Sequence, residues 1–129
     1  MDVKNFMIEY WQYVASQNER KLINYFHDDA CIRWHNTNEQ FNVSEFMRAN
    51  CDYPGNWSGE VERIEQTGNT VITVAHVWTE GMSFHVTSFF EILGEKIMAL
   101  DEYWGDDGEA PQWRKDKHIG RPITANDRL

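Results

Sequence analysis

The chain is short of most residues and patterns that mark the special protein classes. Among 129 residues it has 2 cysteines, Cys31 and Cys51, with no metal-like spacing to each other or to a histidine. The two could close one disulfide. However, the opening Met1-Asp2-Val3-Lys4-Asn5 lacks the basic end and apolar run of a signal peptide, so free thiols in a cytoplasmic protein are expected. No apolar run is long enough to cross a bilayer. Basic residues are scarce, 12 against 21 acidic, for a formal charge of −9. Such a chain repels phosphate backbones and anionic membrane surfaces, and it has no basic stripe with interleaved aromatics, so neither nucleic acid nor membrane is an expected partner. There is no phosphate-cradling glycine loop, no turn built around a serine nucleophile, no zinc-ligand pattern and no calcium-loop spacing. Asp106, Asp107 and Glu109 therefore read as a solvated acidic turn, and neither metal nor cofactor is expected. Internal repeats and low-complexity segments are also absent.

What the chain does have is apolar and aromatic bulk. Hydrophobic residues make up 41% and aromatics 14%, with 6 tryptophans, enough for one domain with a true core and for the large rings that line ligand sites. Val3, Phe6, Met7, Tyr10, Trp11, Val14 and Ala15 recur at helical spacing and predict a helix over 3–17. Asn18 caps a second helix over 19–26, and Ser44 is the expected cap of a third over 44–51. Strands are expected near 30–35, 57–66, 70–79, 83–92 and 96–104. The tail, 110–129, is expected to lie across the surface, anchored by Trp113 and Ile123.

The stretch 69–104 dominates the pattern. Val71, Thr73, Ala75 and Val77 fall on one side of their strand, and Ile72, Val74, His76 and Trp78 on the other. Register decides which side faces inward, because a slip of one residue exchanges the faces. A two-residue turn at Glu80-Gly81 sets His76 opposite His85, and two adjacent histidines would point to a metal. A three-residue loop, Glu80-Gly81-Met82, sets His76 opposite Val86 and Trp78 opposite Phe84. The second gives the more apolar inner wall and is preferred, since Glu-Gly is a poorer hairpin pair than Asn-Gly. Met98, Leu100, Glu102 and Trp104 are then assigned inward. Ile97, Ala99, Asp101 and Tyr103 are assigned outward. That outer face, with Ala75, Val77 and Phe89, is apolar enough to expect a homodimer.

The order of elements, with Lys21-Leu22-Ile23-Asn24-Tyr25-Phe26-His27-Asp28-Asp29-Ala30 before the first strand and Glu95-Lys96-Ile97-Met98-Ala99-Leu100-Asp101-Glu102-Tyr103-Trp104 as the last, resembles the nuclear transport factor 2-like superfamily over residues 3–105. This group includes SnoaL-like polyketide cyclases, ketosteroid isomerases and limonene epoxide hydrolases. The resemblance implies an α+β fold: a cone-shaped barrel in which a curved, mixed but mainly antiparallel sheet of cystatin-like topology wraps N-terminal helices. It places Glu102 at the acidic position of the epoxide hydrolases' last strand, with His76 where they carry arginine and Trp78 where they carry a second carboxylate. Trp34 falls at the isomerases' base, and Tyr10 near their oxyanion-hole tyrosine.

Three functions of different class are compatible with these residues. The preferred one is a cofactor-independent enzyme acting on a small apolar or polycyclic molecule. In it Glu102 and His76 form an acid–base pair, Tyr10 assists as a donor, and Trp34, Trp78, Val86, Ser88, Phe90, Leu100 and Trp104 form the wall. A carboxyl inside an apolar cone has its pKa raised, which suits it to proton transfer near neutral pH. The alternatives are a binding protein with the same pocket and no chemistry, and a protein-interaction or dimerisation module.

Overall fold

A computed structural model describes residues 1–124 of the chain. The first helix, α1 (Val3–Ala15), starts where the Asp2 carboxylate accepts from the Asn5 backbone N–H at 3.1 Å. It stops two residues before the predicted end because Gln17 takes a left-handed backbone, φ 55°. Asn18 caps α2 (Glu19–Leu22), and a 3-10 turn, Ile23–Tyr25, leads into β1 (Phe26–Trp34). The short β2 (Glu39–Phe41) follows. The third helix, α3 (Val43–Cys51), is capped by Asn42 rather than Ser44: Asn42 and Glu45 form a reciprocal capping box, which satisfies two otherwise unpaired backbone donors. Then come β3 (Ser58–Thr67), β4 (Thr70–Thr79), β5 (Met82–Leu93), β6 (Lys96–Asp106) and the short α4 (Gln112–Asp116).

The six strands form one curved, unclosed mixed sheet in the order β2-β1-β6-β5-β4-β3. Only β1 and β6 run parallel. The helices fill its concave side, and no helix among the described residues is long and apolar enough to cross a membrane. The core sits between α1, α2, α3 and the sheet, with Met7, Tyr10, Trp11, Leu22, Phe46, Met47, Val71, Phe90, Ile97 and Leu100 all almost fully enclosed.

The register at Glu80-Gly81 is the main correction to the sequence reading. Thr79 pairs with Met82 and His76 with His85, so the connection is a two-residue turn. Of its two central residues only Gly81 has positive φ, +83°, the pattern of a type II turn, which asks for glycine at the second position and accepts glutamate at the first. The inward face of β4 is consequently Val71, Thr73, Ala75 and Val77, whereas His76 and Trp78 lie on the convex side. The physical reason is volume. Helix α1 brings Met7, Tyr10 and Trp11 to the interface, so the strands beneath it must present small side chains. A Cβ built at Gly59 of β3 would stand 3.0 Å from the Ala15 Cβ.

Two further assignments change. A bulge between Glu91 and Ile92, opposite Met98, turns Ile97 inward in place of Met98, while Leu100, Glu102 and Trp104 face in as expected from their alternation. Ala75 and Val77 are buried as well as Ile97, so the outer face loses three of the apolar residues that made it look suited to dimerisation. The tail also differs: Trp113 is 58% and Ile123 99% exposed, so neither anchors it. Its last residues, 125–129, lie outside the described ones.

Candidate functional site

Strand pairing places four inward residues in one row across the concave face. Trp34 on β1 is beside Glu102 on β6, Glu102 beside Ser88 on β5, and Ser88 beside Thr73 on β4. This row is polar inside an apolar cone; Trp34, Glu102 and Ser88 bond to one another, and Thr73 bonds to helix α1. Trp34 Nε1 donates to Glu102 Oε1 at 3.0 Å, and Ser88 Oγ donates to Glu102 Oε2 at 2.5 Å. Trp11 Nε1 on α1 donates to Thr73 Oγ1 at 3.1 Å. The row therefore fixes both the Glu102 carboxyl and the seat of α1.

Glu102 is 1% exposed. Burial pushes its pKa from 4.5 up to about 7, against the Ser88 and Trp34 hydrogen bonds and the Trp104 indole, which all favour the charged form. Trp104 Nε1 is buried without a hydrogen-bond partner, yet it lies near enough to the carboxyl to favour its charged form. Tyr10 is fully enclosed and its hydroxyl has no partner; burial, then the Glu102 charge, pushes its pKa well up. An unpaired buried hydroxyl forfeits its hydration. Tyr10→Phe is accordingly expected to stabilise the chain by about 1 kcal/mol, seen as a higher denaturant midpoint at unchanged slope.

The space for a small molecule lies beside this row, not on top of it. A cleft of about 280 Å³ opens between the end of α1, α3, the Tyr53–Trp57 loop and the mouth of the sheet. Its aromatic walls are Trp34, Tyr53, Trp57, Phe84 and Trp104, with Val14, Ala15 and Val77 at the base and Gln17, Asn36, Asn50 and Asp106 among the polar groups. Gln17 Nε2 donates to the carbonyls of Asn50 and Tyr53 at 2.9 and 2.5 Å, which ties α1 to the far rim. Asn36 Oδ1 accepts from the Trp104 backbone N–H at 2.7 Å. Glu102 does not line the cleft, but both indoles facing its carboxyl, Trp34 and Trp104, do.

The structure separates several residues that the sequence grouped. Trp34 and Trp104 meet at a centroid distance of 6.0 Å. Trp78 instead stacks on His76 outside the cone, at 4.4 Å. Val86, Ser88, Phe90 and Leu100 are wholly enclosed core. His76 is on the opposite side of the sheet from Glu102, so the two cannot exchange a proton, and the acid–base pair expected from sequence is withdrawn. Phe84, set on the inner wall by the expected register, does line the cleft. Trp57 and Gln17 were not anticipated there, and the tertiary fold alone reveals them.

On the convex side, His85 sits between two carboxylates. Its Nδ1 is 2.6 Å from Asp107 Oδ1, and its Nε2 is 3.3 Å from Glu62. The Asp107 hydrogen bond is the main cause that raises the His85 pKa. For Asp107 burial pulls upward, but its hydrogen bonds from Ser83 and His85 outweigh it and lower the pKa.

No family model matches the chain, and no curated protein matches it. Solved structures do. An NTF-2 like protein of unknown function from Burkholderia xenovorans superposes with a TM-score of 0.77 at 23% identity, covering 95% of each chain. The fold is nuclear transport factor 2-like. An LEH-like epoxide hydrolase from M. tuberculosis has the same fold, with a TM-score of 0.61 at 14% identity over 74% of this chain and 77% of that one. A hypothetical protein of ketosteroid isomerase-like fold from Catenulispora acidiphila, in complex with trimethylamine, gives 0.62 at 14% identity over 73% and 80%.

Proposed function

We propose that this nuclear transport factor 2-like chain binds a small, largely apolar molecule in the cleft walled by Trp34, Trp57, Phe84 and Trp104. The observation that carries this reading is the cleft itself: five aromatic rings, Tyr53 among them, and an aliphatic base, open to solvent, with few polar groups to dictate orientation. Apolar concavities with sparse polar groups are the usual form of small-molecule sites. The test is native mass spectrometry of freshly purified protein, with identification of any released molecule, together with titration of the neutral fluorophore N-phenyl-1-naphthylamine. Saturable one-to-one binding that quenches tryptophan emission is expected, and Trp104→Ala should weaken it about tenfold or more, as truncating a buried aromatic anchor does. Unsaturable binding, or binding indifferent to Trp104, would reject the reading.

A second reading adds chemistry, and the Glu102 environment favours it. A carboxyl titrating near 7 is suited to general acid or base work, and the Trp34 and Trp104 indoles connect it to the cleft. Tyr10, within range of the same charge, is the accompanying donor. This reading requires the indoles to part and admit substrate to Glu102. It predicts that the bound molecule is converted and that Glu102→Gln abolishes conversion.

A further inference from the structure

The convex face carries a second constellation, unrelated to the cone interior. One donor atom each from Glu62, His76 and His85 lies within 4.8 Å of the others. The three residues come from three adjacent strands, β3, β4 and β5. His76 and His85 are direct cross-strand partners, their rings parallel within 8° at 4.7 Å. Glu62 sits at the irregularity between Val61 and Arg63, where β3 shifts register against β4. A bulge re-aims a side chain in this way, and here it turns a carboxylate toward the histidine pair.

From this arrangement we propose that Glu62, His76 and His85 form a binding site for a divalent transition metal of the zinc type, with one coordination position left open to solvent. Four features support it. The donor set, two imidazoles and a carboxylate, is the three-ligand set of open zinc sites. The 3.3 Å between His85 Nε2 and Glu62 matches the edge of a tetrahedron with bonds of about 2.0 Å. Asp107 Oδ1 accepts from His85 Nδ1 at 2.6 Å, which commits the Nε2 lone pair to the side facing Glu62. Such a carboxylate–histidine contact is the outer shell that orients metal-binding imidazoles. Finally, Asp107 and Glu62 flank His85 at its two ring nitrogens, a negative setting that a bound divalent cation neutralises as well as the imidazole's own second proton does. Drawing His76 in requires only side-chain rotation, since the strand register already sets the two rings side by side.

Neighbouring groups restrict the alternatives. Ser83 Oγ donates to Asp107 Oδ2 at 2.5 Å and accepts from His76 Nε2 at 2.8 Å. Asp107 Oδ2 is 3.8 Å from that same nitrogen. The His76 ring is held from below by Trp78. Ligation by His76 therefore exchanges its Ser83 contact for the metal, at a site open on its outer side with its ligands half-exposed.

The test is zinc titration of chelator-stripped full chain by calorimetry, with native mass spectrometry for stoichiometry. One zinc per chain is expected, with a rise in melting temperature. His76→Gln and His85→Gln should each weaken binding at least about tenfold, and Asp107→Asn should weaken it less. His35→Gln, a histidine paired elsewhere with Asp101, should change nothing. Unaltered circular dichroism of the variants separates lost ligation from lost folding. No stoichiometric uptake at micromolar zinc would overturn the proposal, as would uptake that survives both His76→Gln and His85→Gln. Neither result depends on the cleft being occupied.

Discussion

Glu102→Gln is expected to stabilise the chain by about 3 kcal/mol at pH 8 and to change it little at pH 5. The folded carboxyl keeps its proton up to about pH 7, whereas the unfolded one releases it near 4.5. Between those values the folded state binds the extra proton. Stability from this group is thus complete below pH 4.5 and is lost as pH rises through 7. Each unit of pKa difference is worth about 1.4 kcal/mol, and nearly complete burial leaves little solvent screening to discount it. Glutamine is neutral throughout and keeps an oxygen for the Trp34 N–H, while Ser88 can turn its hydroxyl to accept from the new amide. The measurement is urea unfolding of both proteins at pH 5 and pH 8. Other titrating groups cancel in the difference, so parallel pH curves would mean that Glu102 is not held neutral inside the cone. The result also bears on the enzymatic reading: a variant that is more stable at pH 8 yet converts nothing has lost chemistry and not its fold.

The fold was legible because its signals are local and redundant. The 3.6-residue recurrence from Val3 to Ala15 and the strict alternation from Val71 to Trp78 each specify an element without reference to the rest. Their order, together with the segments around Leu22–Ala30 and Glu95–Trp104, pointed to the cone. The site was less legible because it depends on parity, which a single turn controls. Glu102 was placed correctly: its strand alternates cleanly beyond the Met98 bulge. His76 was not, because hydrophobicity was used to choose the inward face of β4. Hydrophobicity is a poor guide where the opposing helix supplies the bulk. Ala75 and Thr73 face inward since Trp11 and Tyr10 need the room, and that complementarity between distant segments is invisible to a pattern read along one strand. The same error hid the convex histidine pair, which the rejected register contained. Gln17 and Trp57 were missed for another reason: both act through loop geometry, where left-handed backbone and rim contacts leave no periodic trace.

The complementarity between α1 and β4 carries the second large effect. Trp11→Ala is expected to cost about 3–5 kcal/mol, the range for removing a fully buried large aromatic. That is a major part of the roughly 5–15 kcal/mol that holds a domain of this size together. Two contributions are involved, and they can be separated. Trp11 is 1% exposed and packs edge-on against Tyr10 at 5.4 Å, while its indole N–H supplies Thr73 Oγ1 with a buried partner at 3.1 Å. Trp11→Phe removes the hydrogen bond but retains most of the ring, and should cost about 1–3 kcal/mol, part of it the orphaned threonine hydroxyl. Thr73→Val orphans the indole instead and should cost a similar amount. If the bond is what couples helix to sheet, the double variant Trp11→Phe, Thr73→Val costs clearly less than the sum of the two, because neither polar group is left stranded. Denaturant midpoints at constant slope give all four corners of that cycle. Strict additivity would show that packing alone seats α1, and that the polar row across the sheet ends at Ser88 instead of reaching the helix.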